Sequence, residues 1–162
     1  KVIEQGYVHK VDTRKVVLEE GSEWEPDLTL LAPGVRPSSL FEDSNLATGP
    51  DGGLLVNKYL QSVQYPEIFG GGDCIYFRPN PLDKVGVYAV RQNPVLLNNI
   101  MASVRGGGLQ SFDPGGKYML IFNTGDGKGI FVRGNLVLSG KWAFKLKDRV
   151  DRKFMQRFKA LE

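Results

Sequence analysis

The residues best suited to chemistry are three consecutive glycines followed by an aspartate, at positions 70–73, after the apolar pair Ile68-Phe69. Glycines carry no Cβ, so a ligand can approach the backbone closely, and a carboxylate beside them can accept hydrogen bonds from hydroxyl groups. If the apolar pair ends a strand, Asp73 lies at that strand's carboxyl end, where open α/β sheets bind ligands. We therefore expect Gly72 and Asp73 to contact a polyhydroxyl cofactor. The alternative is a plain turn, since glycine and aspartate are also common turn residues.

The elements that would position this loop follow from apolar runs and breakers. The first stretch predicts a hairpin of residues 2–11 and 15–18, and the apolar run 28–32 predicts a buried strand. After the loop 78–81, a helix is expected from about residue 84. Pro94 is expected to break that helix near residues 92–93, before it resumes to residue 104, because proline inside a helix costs about 3 kcal/mol. A kinked helix and a helix-turn-helix both remain open.

The chain beyond residues 106–108 changes character. Segments 117–122, 129–132 and 136–138 read as three short strands joined by glycine-rich turns. After Gly140, apolar residues recur at helical spacing between basic ones, which predicts a basic amphipathic helix over 141–161. Its apolar positions are Trp142, Leu146, Val150, Phe154, Phe158 and Leu161. We expect the helix to cover a core, with docking on an anionic membrane surface as the second interpretation.

Composition bounds the class of protein. The chain has 162 residues, 41% hydrophobic and 24% charged, which is enough to bury a core. A net charge of +3 is too mild to indicate nucleic-acid binding, and one His and one Cys far apart cannot form a zinc site. The single cysteine excludes an internal disulfide and fits a reducing compartment, so we expect a cytoplasmic protein. No secretory leader or membrane-spanning run is expected.

Several segments, in order, resemble the two-dinucleotide-fold flavoproteins of the pyridine nucleotide-disulfide oxidoreductase superfamily. Residues 27–37 resemble its strand and Gly-x-x-Pro stretch, and residues 53–62 resemble the strand that ends in Leu-Gln-Ser. Residues 70–73 resemble its second FAD-binding motif, and residues 84–92 resemble the helix whose start points at the flavin ring. A narrower resemblance, carried by residues 87–92 and 147–155, is to type II NADH dehydrogenases, sulfide:quinone reductases and flavoproteins associated with selenophosphate synthetase. The lone cysteine argues against the cysteine-dependent sulfide:quinone subclass.

This resemblance implies an α/β fold, namely a partial FAD/NAD(P)-binding two-dinucleotide fold with a small α+β C-terminal unit. Residues 1–36 would be the C-terminal end of the NAD(P)H-binding domain, and residues 37–105 the C-terminal half of the FAD-binding domain. Residues 106–162 would be the small β unit with its amphipathic helix. The Gly-x-Gly-x-x-Gly loop with which members of the family begin does not occur, so the chain is expected to be part of a longer flavoprotein.

The resemblance also implies roles for particular residues. Asp73 would accept a hydrogen bond from a ribityl hydroxyl, and the backbone amides of residues 86–88 (Gly86, Val87 and Tyr88) would support the pyrimidine edge of the flavin. Gln92 would lie near the electron acceptor, and Lys84 would face the flavin or a quinone oxygen. The structural alternatives are a half-buried aromatic ring at 88, a capping amide at 92 and a solvated lysine. No acid–base catalytic residue is expected, because hydride passes between nicotinamide and flavin.

The implied function is electron transfer from NAD(P)H through FAD to a quinone or similar acceptor. The competing interpretation is a non-catalytic module for oligomerisation or membrane association, derived from such a flavoprotein. A role in selenium or sulfur metabolism is a third interpretation. A homo-oligomer and peripheral membrane contact through residues 141–161 are further expectations.

Overall fold

The computed structural model describes the backbone of residues 6–159 and the side chains of residues 6–156. The chain divides into two compact units, Lys1–Val35 and Arg36–Glu162. The division lies beside residue 36, where the nicotinamide-binding portion was predicted to end. The assignment of the first unit to that portion stays a prediction.

The first unit is a three-stranded antiparallel sheet. Its strands are β1 (Val8–Val11), β2 (Val16–Leu18) and β3 (Glu23–Trp24), in the order β1-β2-β3. A turn joins β1 to β2, and in it the Asp12 N–H donates to the Lys15 carbonyl at 2.8 Å. The predicted hairpin is therefore confirmed from Val8 onward, and its predicted beginning at residue 2 lies outside the described residues.

The predicted buried strand at residues 28–32 is wrong. This segment forms no strand, and its leucines are largely exposed, Leu28 by 75% and Leu30 by 86%. An apolar run becomes a buried strand only when a neighbouring strand pairs with it and a second layer covers it. Within the described part of the chain, no strand pairs with this segment.

The second unit is mixed α and β, which confirms the predicted α/β class. Its elements are α1 (Leu40–Asp43), β4 (Leu54–Val56), a 3-10 turn (Gly72–Cys74), β5 (Ile75–Phe77), α2 (Gly86–Arg105), β6 (Leu120–Asn123), β7 (Gly129–Arg133), β8 (Leu136–Gly140) and α3 (Lys141–Lys159). Strands β4 and β5 pair in parallel, whereas β6, β7 and β8 form an antiparallel meander. The three predicted C-terminal strands are confirmed, although the first begins at residue 120 and not at 117.

The core of this unit lies where α2 packs over β4 and β5. Leu54 and Phe77 from the two strands and Val95 from α2 are buried together with Phe112. The rings of Phe77 and Phe112 meet edge to face, with centroids 5.4 Å apart. Phe112 had been assigned to the C-terminal unit, but it packs on the parallel strands because its N–H donates to the Lys58 carbonyl at 2.7 Å.

Helix α2 is continuous from Gly86 to Arg105, so the predicted break at residues 92–93 does not occur. Pro94 lies inside the helix and leaves the Val90 carbonyl without its usual N–H donor four residues on. Gln92, Val95 and Asn99 share the buried face, so packing on both sides of the proline holds the helix together. Within the described residues, no helix is both long and apolar enough to cross a membrane.

Helix α3 begins where predicted, directly after Gly140. Ala143 is fully buried against the meander, and the Trp142 ring packs on Phe131 with centroids 5.6 Å apart. Further along, Val150 is 46% exposed and Met155 54%, so the expected role as a core cover holds only for the start of the helix. The predicted apolar positions Phe158, as a side chain, and Leu161 lie outside the described residues.

Candidate functional site

Asp73 lies in the 3-10 turn that precedes β5, and not at the carboxyl end of a strand as predicted. The pair Ile68-Phe69 forms no strand and contributes only an isolated bridge between Phe69 and Gln61. The chain changes direction at Gly72, where φ is +71°, and β5 starts three residues later. Asp73 is therefore at the amino end of β5.

Two of the three glycines before Asp73 lie close against side chains of the protein itself. A Cβ on Gly70 would lie 2.7 Å from Ile75 Cγ2, and a Cβ on Gly71 would lie 3.1 Å from Leu96 Cδ2. At Gly72 there is ordinary room, 3.6 Å to Ala89 Cβ, but the positive φ favours glycine. The glycines therefore bring the loop onto β5 and α2, in addition to any room they leave for a ligand.

Gln92 holds the loop from the side of α2. Its Oε1 accepts a hydrogen bond from the Gly72 N–H at 2.5 Å, and its side chain is only 2% exposed. On the loop, the Cys74 thiol donates to the Gly71 carbonyl at 3.0 Å. Gln92, predicted near the electron acceptor, is thus buried against the turn that carries Asp73.

The carboxylate of Asp73 is half-buried, and within the described part of the chain it has no hydrogen-bond or ion-pair partner. Two other carboxylates of this unit have partners: Asp51 pairs with Lys84, and Asp83 accepts from the Tyr118 hydroxyl at 2.8 Å. An ionised carboxylate offers several acceptor positions. Asp73 can therefore accept hydrogen bonds from a ligand at no cost to the fold.

At the amino terminus of α2, the backbone amides of residues 86–88 were expected to face the flavin, and two of the three are available to bind a ligand. No side chain caps the helix at Val85, and the N–H groups of Gly86 and Val87 have no acceptor among the described residues. The third amide, that of Tyr88, already donates to the Val85 carbonyl at 3.0 Å. Uncapped N–H groups and the partial positive charge of a helix start favour electron-rich ligands.

Lys84, expected to face the flavin or a quinone oxygen, is held by the protein. Its Nζ lies 2.8 Å from Asp51 Oδ2 and also donates to the Ile75 carbonyl, and the side chain is only 18% exposed. Burial acts to raise the pKa of Asp51, but the hydrogen bonds from Lys84 and from the Gly53 N–H outweigh it and keep that pKa below its ordinary value. In this conformation Lys84 stabilises the loop before α2.

Tyr88 and Gln92, four positions apart on α2, line different clefts. Tyr88 packs edge to face on Tyr118, with ring centroids 5.5 Å apart, and the Arg91 guanidinium lies 6.0 Å from its centroid. The hydrogen bond to Asp83 raises the pKa of the Tyr118 hydroxyl. Tyr88 and Tyr118 line a cleft of about 340 Å³ next to the meander.

Gln92 lines a second, larger cleft of about 570 Å³. Its walls are mostly apolar and are formed by Gly71, Gly72, Ala89, Val90, Pro94, Leu96 and Phe154, with Asn93 beside them. No pattern in the sequence predicts that Phe154, from α3, reaches a cleft beside the Gly-Asp turn. No group of three or more His, Cys, Asp or Glu side chains in the described ranges could hold a metal ion.

Comparisons with known proteins place these features in one family. Residues 1–99 match the family model described as pyridine nucleotide-disulphide oxidoreductase. Ferroptosis suppressor protein 1 of Xenopus laevis is 34% identical over 108 residues, which cover 65% of this chain and 28% of that protein. NADH oxidase of Enterococcus faecalis is 30% identical over 102 residues, 60% of this chain and 21% of that protein.

Solved structures are similar in fold. An NAD-dependent persulfide reductase from A. fulgidus matches 80% of this chain and 24% of its own, with a TM-score of 0.53 and 24% identity. A ferredoxin reductase from Rhodopseudomonas palustris matches 78% of this chain and 31% of its own, with a TM-score of 0.52 and 24% identity. At these identities the likeness concerns the fold alone.

The family model covers more than half of the residues, and its span of residues 1–99 includes the Gly-Asp turn and the larger part of α2. The chain spans 28% and 21% of the lengths of the two curated relatives named above. The chain therefore belongs to the pyridine nucleotide-disulphide oxidoreductase family.

Proposed function

We propose that the protein containing this chain is an FAD-dependent NAD(P)H oxidoreductase, and that this chain supplies part of its FAD site. The family consists of flavoproteins that use FAD and NAD(P)H. The observation that carries the proposal is the unpartnered Asp73 carboxylate next to the uncapped amino terminus of α2.

These residues suit the chemistry of FAD. The Asp73 carboxylate can accept a hydrogen bond from a ribityl hydroxyl, and the amides of Gly86 and Val87 can donate to the electron-rich pyrimidine edge of the flavin. The turn that carries Asp73 contacts α2, and a Cβ on Gly72 would lie 3.6 Å from Ala89 Cβ in the first turns of that helix. Bound FAD would supply the hydride and electron transfer, so the protein's part is to bind and orient the ring. We accordingly propose no acid–base residue in this chain.

We further propose a quinone or a similar uncharged ring as the electron acceptor, bound in the larger cleft. The support is the apolar lining of that cleft and its position beside the turn that carries Asp73. Lys84 contributes less to this proposal than expected, since it would have to leave Asp51 to reach an acceptor. Cleft volumes of several hundred Å³ are typical of small-molecule sites.

A visible absorption spectrum of the full-length protein that contains this chain tests the proposal. Flavin bands that bleach on anaerobic addition of NADH or NADPH, and return on addition of a soluble short-chain quinone, are the expected result. A colourless protein that takes up no added FAD would contradict the proposal and favour the non-catalytic module. Bleaching without reoxidation by quinone would leave the flavoprotein but exclude the proposed acceptor.

Peripheral membrane contact through α3 is a second proposal. The exposed aromatic and basic residues of this helix support it. Trp142 is 44% exposed, and Lys145, Arg149 and Lys153 follow it at helical spacing without a carboxylate partner among the described residues. Both aspartates of the helix are already engaged in ion pairs within it. We expect the protein to float with vesicles that contain phosphatidylserine and not with pure phosphatidylcholine vesicles. Equal recovery with both would contradict an electrostatic membrane contact.

A further inference from the structure

We infer that Gln92 is a positioning residue of the FAD site: it fixes the turn that presents Asp73 and does not contact the electron acceptor. This inference rests on the proposed function, because the orientation of Asp73 matters only if that carboxylate binds FAD. The family resemblance implied a different role for Gln92, near the electron acceptor.

A hydrogen bond joins α2 to the loop. Gly72 is the first residue of the 3-10 turn, so its N–H has no partner within the turn. Gln92 Oε1 accepts from that N–H at 2.5 Å, across 20 residues of sequence. Gln92 thus caps the turn from a rigid helix.

Gly72 has a backbone conformation that orients the residue after it. Its φ of +71° is a left-handed conformation, which sets the direction in which the chain continues into Asp73. A glycine has many accessible conformations, so an external contact is needed to keep it in one of them. The bond from Gln92 supplies that contact at the residue immediately before the carboxylate.

The Gln92 side chain is buried. Gln92 is 2% exposed and lies on the same face of α2 as the buried residues Val95 and Asn99, so it offers almost no surface to a diffusing acceptor. Its neighbour Asn93 is exposed beside the same cleft, and Tyr88 lines the other cleft. Gln92 borders the larger cleft, but with 2% of its surface exposed it leaves the apolar walls and Asn93 as the surfaces that an electron acceptor there would contact.

The test uses three variants of the full-length protein. Gln92→Leu has a similar size but lacks the oxygen that accepts the hydrogen bond from the Gly72 N–H. Gln92→Glu keeps an oxygen that can accept this hydrogen bond. Asn99→Leu is the matched control, because Asn99 is an equally buried amide of the same helix whose hydrogen bonds go to Tyr59, Gln110 and Asn98 and not to the Gly-Asp turn. For each, the FAD dissociation constant, the flavin potential and the KM for a soluble quinone are measured.

We expect Gln92→Leu to weaken FAD binding about tenfold or more. The reason is that, in the FAD-bound form, the buried Gly72 N–H would have no hydrogen-bond acceptor. We expect Gln92→Glu to restore FAD affinity to within about threefold of the wild type, and Asn99→Leu to lower stability without changing FAD affinity. The KM for quinone should stay unchanged in the Gln92 variants once they are saturated with FAD.

Three results would overturn the inference. Wild-type affinity for FAD in Gln92→Leu together with a raised KM for quinone would make Gln92 an acceptor contact, while the proposed function stands. Equal loss of FAD in Asn99→Leu would make the effect general destabilisation. A wild-type protein that binds no FAD would refute the proposed function itself.

Discussion

Replacement of Asn99 by leucine tests how the second unit is held together. The Asn99 side chain is fully buried, its Nδ2 donates to the carbonyls of Tyr59 and Gln110 at 2.8 Å each, and its Oδ1 accepts from the Gln110 N–H at 2.7 Å. Leucine has a similar volume, so the cost is mainly that of three backbone groups left without partners. Each such group costs about 1–3 kcal/mol, and partial access to water favours the lower figure. We expect Asn99→Leu to lower the free energy of unfolding by about 3 kcal/mol.

Urea denaturation followed by intrinsic fluorescence measures this loss. Asn93→Leu is the control, since it makes the same substitution on the exposed side of α2 and should change the unfolding free energy by no more than about 0.5 kcal/mol. A loss below about 1 kcal/mol for Asn99→Leu, or the same loss for both variants, would refute the reasoning that these three hydrogen bonds hold the helix to its loops.

Three other predictions concern charge and packing. Asp51→Asn should lower the free energy of unfolding at neutral pH by less than about 1 kcal/mol, because the wild-type carboxylate is stabilised in its charged form. That difference should be complete above the ordinary pKa of 3.8 and vanish as the pH falls through the lowered pKa of Asp51; a difference that persists in acid would contradict it. Lys128→Ala should raise the pKa of Asp126 from about 2 toward its ordinary 3.8, as followed by an NMR titration of the carboxyl group, and an unchanged titration would exclude the contact with Lys128. Gly70→Ala should lower the thermal midpoint of unfolding, since its Cβ would lie 2.7 Å from a core side chain and overpacking costs about 1–3 kcal/mol; an unchanged midpoint would show that the loop has room there.

The parts of the fold that sequence predicts well are those set by local chemistry. Helix α2 begins at Gly86, two residues after its predicted start near residue 84, and the meander follows from short apolar runs separated by glycines. The start of α3 follows from Gly140, whose φ of +142° is hard for other residues. In each case the deciding residues lie within a few positions of the element they define.

The parts that sequence predicts poorly depend on distant partners. The continuity of α2 through Pro94 depends on which helix face is buried, and nothing near the proline reveals this. The segment at residues 28–32 has the composition of a strand, but a strand also needs a neighbour. The packing of Phe112 on Phe77 joins residues 35 positions apart, which no local pattern indicates.

The candidate site shows the same limit. The residue types at Gly72 and Asp73 predict a turn that could bind a ligand, but they did not predict its position at the amino end of β5. The side chain of Gln92 is polar and helical in spacing, so sequence alone could not decide between exposure to an acceptor and burial against a loop 20 residues away. Only the fold settles which of its neighbours a buried amide satisfies.

The central claim is that Asp73 binds FAD, and the FAD dissociation constant of Asp73→Asn tests it most directly. The substitution keeps the size and one acceptor oxygen but removes the charge, and hydrogen bonds to charged groups contribute about 1.5–3 kcal/mol. In the full-length protein we expect FAD to bind at least about tenfold more weakly, whereas Glu67→Gln, at an exposed carboxylate of the same unit, should bind FAD as the wild type does. Wild-type affinity in Asp73→Asn would contradict the assignment of this turn to the FAD site.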